Sequence, residues 1–169
     1  LDTADHLADM RLVTVPLESR TGLQTEQAHR AAPTSEFFHT WMNNRRDDVL
    51  ACLRAASHGD WEALGRLAEL DSLRLHGVTS SAWDEQVMFA WEPENISLFR
   101  LCHRLRKKGV PVYFSTDTGP TTVFLTHVDY QIEVVESISK LGLGVDIICG
   151  SVAGPATLLP PENEEAANF

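Results

Sequence analysis

Two β-rich runs stand close together beyond the middle of the chain, residues 110–116 (VPVYFST) and 122–126 (TVFLT), with only Asp-Thr-Gly-Pro-Thr between them. Their β-branched and aromatic residues predict strands, and the five residues between them are turn formers. Strands adjacent in sequence point to an antiparallel sheet. Further strands are predicted over 11–17 (RLVTVPL) and 145–149, and the stretches between them have helical periodicity. The expected class is therefore α+β, an antiparallel sheet covered by helices.

The helical stretches are readable in outline. From Thr34, residues Phe38, Trp41 or Met42, Val49, Leu53 and Ala56 fall on one face, as one long helix or two short ones. Gly59 and Asp60 end that segment and cap a second helix from Trp61, with an apolar stripe of Leu64, Leu67, Ala68 and Leu75. Asp71 falls inside the stripe and is expected to pair with a cation. Residues 77–94 read as an irregular loop anchored by Trp83, Phe89 and Trp91. Pro93 and Asn95 then announce a third helix with Leu98, Leu101, Cys102 and Leu105 inward. Its terminal Arg104, Arg106, Lys107 and Lys108 complement the helix dipole rather than marking a phosphate site. Residues 129–141 are amphipathic through Ile132, Val135 and Ile138.

Composition narrows the partners. Of 169 residues, 14 are Lys or Arg and 24 Asp or Glu, so a general grip on nucleic acid or an anionic membrane is not expected. Six of those acids lie at the two ends, and setting them aside leaves 18 against 14, near enough to balance for a local cationic pocket. No apolar run is long enough for a membrane span. Three cysteines without a C-x-x-C pair argue against a disulfide framework or structural zinc, and a reducing, cytoplasmic setting fits. The histidines show no metal-ligand spacing, and His76 reads as a capping or core residue. No phosphate-loop pattern is present. Residues 1–159 read as one domain and 160–169 as an acidic tail. A strand so near a first residue that is not Met suggests part of a longer protein.

Two segments are chemically suggestive. In STDTGP at 115–120, Asp117 stands at the end of a strand and is followed by turn residues, which suits a general base or an electrostatic partner. An Asp that merely bonds its own turn is the alternative reading. In the run ESRTG at 18–22, Ser19, Arg20, Thr21 and Gly22 offer two hydroxyls, a guanidinium and a glycine permitting close backbone approach. Those donors suit a phosphate or carboxylate. By itself that run also fits a plain surface turn.

Read jointly, SRTGL at 19–23, DSLRLH at 71–76, WEPE at 91–94, YFSTDTGP at 113–120 and the late residues 150–155 resemble the C-terminal half of mevalonate diphosphate decarboxylase, in the GHMP kinase superfamily. The resemblance runs from about residue 5 to about 158. It implies an ATP-dependent, Mg2+-requiring enzyme of the mevalonate pathway that phosphorylates the tertiary hydroxyl of a phosphorylated mevalonate. Phosphate and carbon dioxide are then expelled to leave an isopentenyl product. Asp117 takes the catalytic aspartate position, as proton acceptor or cation stabiliser. Ser19 and Arg20, with Thr21, Gly22, Leu23 and Thr118, surround the substrate. The family has Ala at Thr118, Asn at Thr121 and Met at Leu23. The form Ser-Thr-Asp-Thr-Gly looks more like the phosphomevalonate decarboxylases, which act on the monophosphate, and both substrates stay open. The resemblance also implies a homodimer and a nucleotide loop in an N-terminal half without which the chain is inactive; from residue spacing, no metal site is expected in this chain. Two other classes remain: a noncatalytic α+β ligand-binding or dimerisation module, and a dimeric aspartic protease built on the triplet Asp117-Thr118-Gly119.

Overall fold

A computed structural model describes residues 5–83 and 89–154, and the hairpin read at 110–126 lies at its centre. Strands β1 (Met10–Val15), β2 (Val112–Thr116), β3 (Thr122–His127) and β4 (Ile148–Ser151) form one antiparallel sheet in the order β2-β3-β1-β4. Its helices are α1 (Thr25–Ala31), α2 (Phe38–Ser57), α3 (Trp61–Ser80), α4 (Pro93–Lys107) and α5 (Gln131–Ser139). The fold is α+β, as expected.

Strand alternation sends side chains to two layers. Val13, Val15, Val112, Phe114 and Phe124 meet Leu98, Cys102 and Leu105 of α4 and Val134 and Ile138 of α5 in the main core. Phe99 stacks on Phe114 with centroids 4.0 Å apart. Met10, Leu12 and Leu125 point the other way, toward Ala56 of α2 and Trp61, Leu64 and Ala68 of α3.

The buried face of α3 differs from the expected apolar stripe. Gly65, Glu69, Ser72, His76 and Thr79 are its buried positions, together with Val78, whereas Leu70 and Leu73 are exposed. The reason is the open edge of β2, whose outward backbone groups need partners. The Phe114 N–H donates to Glu69 Oε2 at 3.3 Å, and the Thr116 N–H donates to Ser72 Oγ at 2.8 Å. Ser72 Oγ in turn donates to the Thr116 carbonyl at 2.7 Å. One turn further on, His76 reaches the Asp117 carbonyl at 2.8 Å. A polar stripe of helix thus replaces the missing neighbouring strand. Glu69 is also held by a bidentate pair to Arg106 of α4, both bonds 2.8 Å. Gly65 lets the helix come this close, because a Cβ there would lie 2.3 Å from Tyr113 Cδ2.

Other expectations need correction. α3 continues to Ser80 rather than giving way to a loop at residue 77, and Trp83, read as an anchor, is 83% exposed. Part of that loop, residues 84–88, lies outside the described residues, as do Pro155 and the acidic tail. α2 is one continuous helix whose Met42, Val49 and Leu53 are exposed. In α5 the buried pair is Val134 and Ile138, with Ile132 facing solvent. The last strand is 148–151 rather than 145–149, and the first ends at Val15 rather than Leu17. α1, with no sustained apolar period, was not foreseen.

Candidate functional site

Asp117 begins the turn that follows β2, and its residue is exposed while Thr116 and Thr118 on either side are buried. Its main chain is therefore fixed and its side chain free. Before it, Thr116 Oγ1 accepts from Trp91 Nε1 at 3.2 Å and lies 2.8 Å from Ser72 Oγ and 2.9 Å from His76 Nε2. At Asp117 itself the carbonyl accepts from His76 Nε2, so that nitrogen carries the proton, since a carbonyl cannot donate. After it, Thr118 Oγ1 bonds Thr25 Oγ1 at the start of α1, 2.7 Å away. Among the described residues, nothing hydrogen-bonds the Asp117 carboxylate. The reading in which Asp117 bonds its own turn finds no such bond.

His76 is 5% exposed and packs against the Trp91 ring, centroids 4.5 Å apart. Burial pushes its pKa down, partly opposed by the bond to the Asp117 carbonyl and the Asp117 charge.

The loop carrying Ser19 and Arg20 leaves β1 and leads to α1, and it meets the Asp117 turn through the N-terminus of α4. Asn95 is completely buried; its Oδ1 accepts the Glu92 N–H at 2.8 Å, and its Nδ2 donates to the Pro120 carbonyl at 2.6 Å and to Thr122 Oγ1 at 2.9 Å. Its Oδ1 is satisfied by capping the start of α4 and its Nδ2 by holding the far end of the turn. Glu92 Oε1 accepts the Arg20 N–H at 2.6 Å. One helix start therefore anchors both loops.

The Arg20 side chain points to Glu94, bonding it at 2.6 and 3.3 Å, with Glu92 3.7 Å away. Glu94 raises the Arg20 pKa through this bond, and Arg20 lowers that of Glu94. The Arg20 side chain is exposed and that of Glu94 partly so, so a ligand anion can compete for the guanidinium. No hydrogen bond or ion pair joins Arg20 to Asp117 among the described residues. Ser19 Oγ lies 3.3 Å from Thr21 Oγ1, and both residues are exposed. Gly22 has φ +67°, a left-handed turn that favours glycine, and nothing lies within 4 Å of an added Cβ there. Leu23 packs on Ala28 and Ala31 of α1. Beside Arg20 lies an open cleft of about 580 Å³ lined also by Pro16, Leu17, Glu18, Glu94 and Leu143.

Elsewhere, Asp71 pairs with Arg45 and accepts from Trp41 Nε1 at 3.2 Å, the expected structural pairing. Among the described residues no group of three His, Cys, Asp or Glu is arranged to hold a metal ion. None of the described helices is long and apolar enough to cross a membrane. Sequence reading missed Ser72, Glu92, Asn95 and Thr116 as parts of the site. The 4-3-4-3 spacing of Gly65, Glu69, Ser72, His76 and Thr79 was the available signal, a helical period in polar residues.

This sheet, with its helices, is the fold of the GHMP-kinase-type domain of mevalonate diphosphate decarboxylases. The Enterococcus faecalis enzyme, described as having a mevalonate diphosphate mediated ATP binding mechanism, matches with a TM-score of 0.77 over 92% of this chain and 46% of that one, at 21% identity. A structure holding MVAPP, AMPPCP and magnesium matches at 0.75 over 90% of this chain and 47% of that one, at 20% identity. No protein-family model matches the chain. In sequence, the chain is 34% identical over 152 residues to phosphomevalonate decarboxylase of Haloferax volcanii, covering 89% of this chain and 45% of that protein. It is 27% identical over 97 residues to mevalonate 3,5-bisphosphate decarboxylase of Thermoplasma acidophilum, covering 57% of this chain and 22% of that protein. By sequence and fold alike, the chain is similar to decarboxylases of phosphorylated mevalonates, and it spans about half the length of the curated relatives it matches.

Proposed function

We propose that this chain is the substrate-holding and catalytic half of an ATP-dependent decarboxylase acting on a phosphorylated mevalonate. The observation that carries the reading is Asp117, a carboxylate with no hydrogen-bond partner among the described residues on a backbone pinned from three sides, in a chain that resembles such enzymes along most of its length. A carboxylate held this way keeps its orientation without spending its charge on a neighbour. It takes up the proton of the tertiary hydroxyl as that oxygen attacks the γ-phosphoryl group of ATP, or it stabilises the positive charge left on the carbon when phosphate departs ahead of carbon dioxide. The products are ADP, phosphate, carbon dioxide and an isopentenyl phosphate or diphosphate.

Arg20 and Ser19, with Thr21, Gly22 and Leu23 shaping their loop and Thr118 tying the Asp117 turn to α1, hold the phosphate end of the substrate. A phosphate entering there takes Arg20 from Glu94. ATP and Mg2+ belong, in this reading, to an N-terminal half that completes the site, so the 169-residue chain alone gives no turnover. The homodimer implied by the resemblance is part of the same proposal.

The reading takes in both the mono- and the diphosphate: the chain is 34% identical over 152 residues to a phosphomevalonate decarboxylase and shares the fold of mevalonate diphosphate decarboxylases. The test is to supply the complete enzyme with ATP, Mg2+ and either the mono- or the diphosphate and to follow ADP and carbon dioxide. Release of both from either one supports the reading and identifies the substrate. ADP without carbon dioxide means a kinase, and silence with every phosphorylated mevalonate removes the decarboxylase assignment.

A further inference from the structure

The polar stripe of α3 does more than cover a strand edge at one position. Glu69 and Ser72 bond backbone groups inside β2, whereas His76 bonds the carbonyl of the first residue beyond it, Asp117, with Nε2 2.8 Å from that oxygen and 2.9 Å from Thr116 Oγ1. The imidazole is itself fixed between the Trp91 ring and its own helix, and it is almost completely buried. The Asp117 carbonyl carbon is bonded to the Cα that carries the side chain, so a shift of the main chain there moves the Cα–Cβ bond, and this hydrogen bond opposes that shift. Thr118, bonded to Thr25, opposes it from the other side.

We infer that His76 is a positioning residue for decarboxylation: its Nε2–H, by holding the Asp117 carbonyl, sets where the Asp117 carboxylate stands relative to the reacting hydroxyl. The inference rests on the reading of Asp117 given above. It assigns His76 no contact with substrate and no proton transfer. Its consequence is kinetic, because a misplacement of a reacting group by about 1 Å can lower turnover by about a hundredfold.

The test uses the complete enzyme, in which Asp117→Asn has first been shown to abolish turnover; if it does not, the functional reading fails and not this inference alone. His76→Phe keeps a ring against Trp91 and removes the donor. It is expected to lower kcat about 10- to 100-fold while KM stays within about twofold. His76→Gln carries an N–H at the reach of Nε2, and His76→Asn carries one only at the reach of Nδ1. Gln is expected to restore most of kcat and Asn is not, a comparison that stands even where Phe fails to fold. Glu69→Gln loosens the same α3–β2 contact without touching Asp117, and it should lower the melting temperature while kcat is kept. Equal kcat in the Gln and Asn variants, or a kcat in His76→Phe no lower than in Glu69→Gln, would overturn the inference.

Discussion

Asp117 is placed by its main chain, and so the residues that matter most to it are ones it does not touch with its carboxylate. His76 is the clearest case. Its pKa lies below the ordinary histidine value, chiefly because it is buried, so the folded protein resists protonating it. Above about pH 6.5 neither the folded nor the unfolded state binds this proton, and His76 adds no pH dependence. As the pH falls below that value the unfolded state takes up the proton first, and stability drops by at most about 1.4 kcal/mol per pH unit until the folded state also protonates. Urea denaturation between pH 7 and 5 should therefore show a steeper loss in the native protein than in His76→Gln; parallel curves would contradict this. Arg20 offers a second prediction at the same scale. Its guanidinium is exposed and already shared with Glu94, so Arg20→Met should leave the melting temperature unchanged and raise KM for the phosphorylated substrate about tenfold or more. An unchanged KM would remove Arg20 from the phosphate end of the site.

At the scale of elements, α3 carries the most information and was read least completely. The hairpin was legible because turn residues and β-branched runs act locally, and so was α4, whose inward Leu98, Leu101, Cys102 and Leu105 repeat with helical period. The Asp60 cap was legible for the same reason, its side chain accepting from the Ala63 N–H at 2.9 Å. The true inward face of α3 escaped because it is polar: what it covers is a row of backbone hydrogen-bonding groups on β2, not a hydrophobic surface. α2 misled in the opposite sense, since its apolar Met42, Val49 and Leu53 stay exposed in the described chain. In the site, Asp117 and the run at 19–22 could be singled out from their chemistry, but the Glu92–Asn95 clamp that unites them joins positions more than seventy residues apart. Gly65 tests the α3–β2 contact directly. Gly65→Ala forces a Cβ into Tyr113 and should destabilise the fold by about 1–3 kcal/mol, read as a lower midpoint in chemical denaturation. A neutral or stabilising effect, of the kind alanine gives in an unobstructed helix, would show that the close approach is not needed.

At the scale of the molecule, the candidate site lies on a face that is open among the described residues. Asp117 and Arg20 are both exposed, the cleft beside Arg20 is wide, and the chain spans about half the length of its relatives. These facts agree with a site closed by a second half that supplies the nucleotide, and with a chain whose own contribution is the carboxylate and the phosphate-end loop. The whole account depends on that carboxylate acting on the substrate. The direct measurement is the turnover of Asp117→Asn in the complete enzyme, with its melting temperature beside it. Asn keeps the shape and the carbonyl bond to His76 while removing the charge, so the account predicts a loss of about a hundredfold or more in kcat with no change in melting temperature. Decarboxylation within a few-fold of the native rate would contradict it.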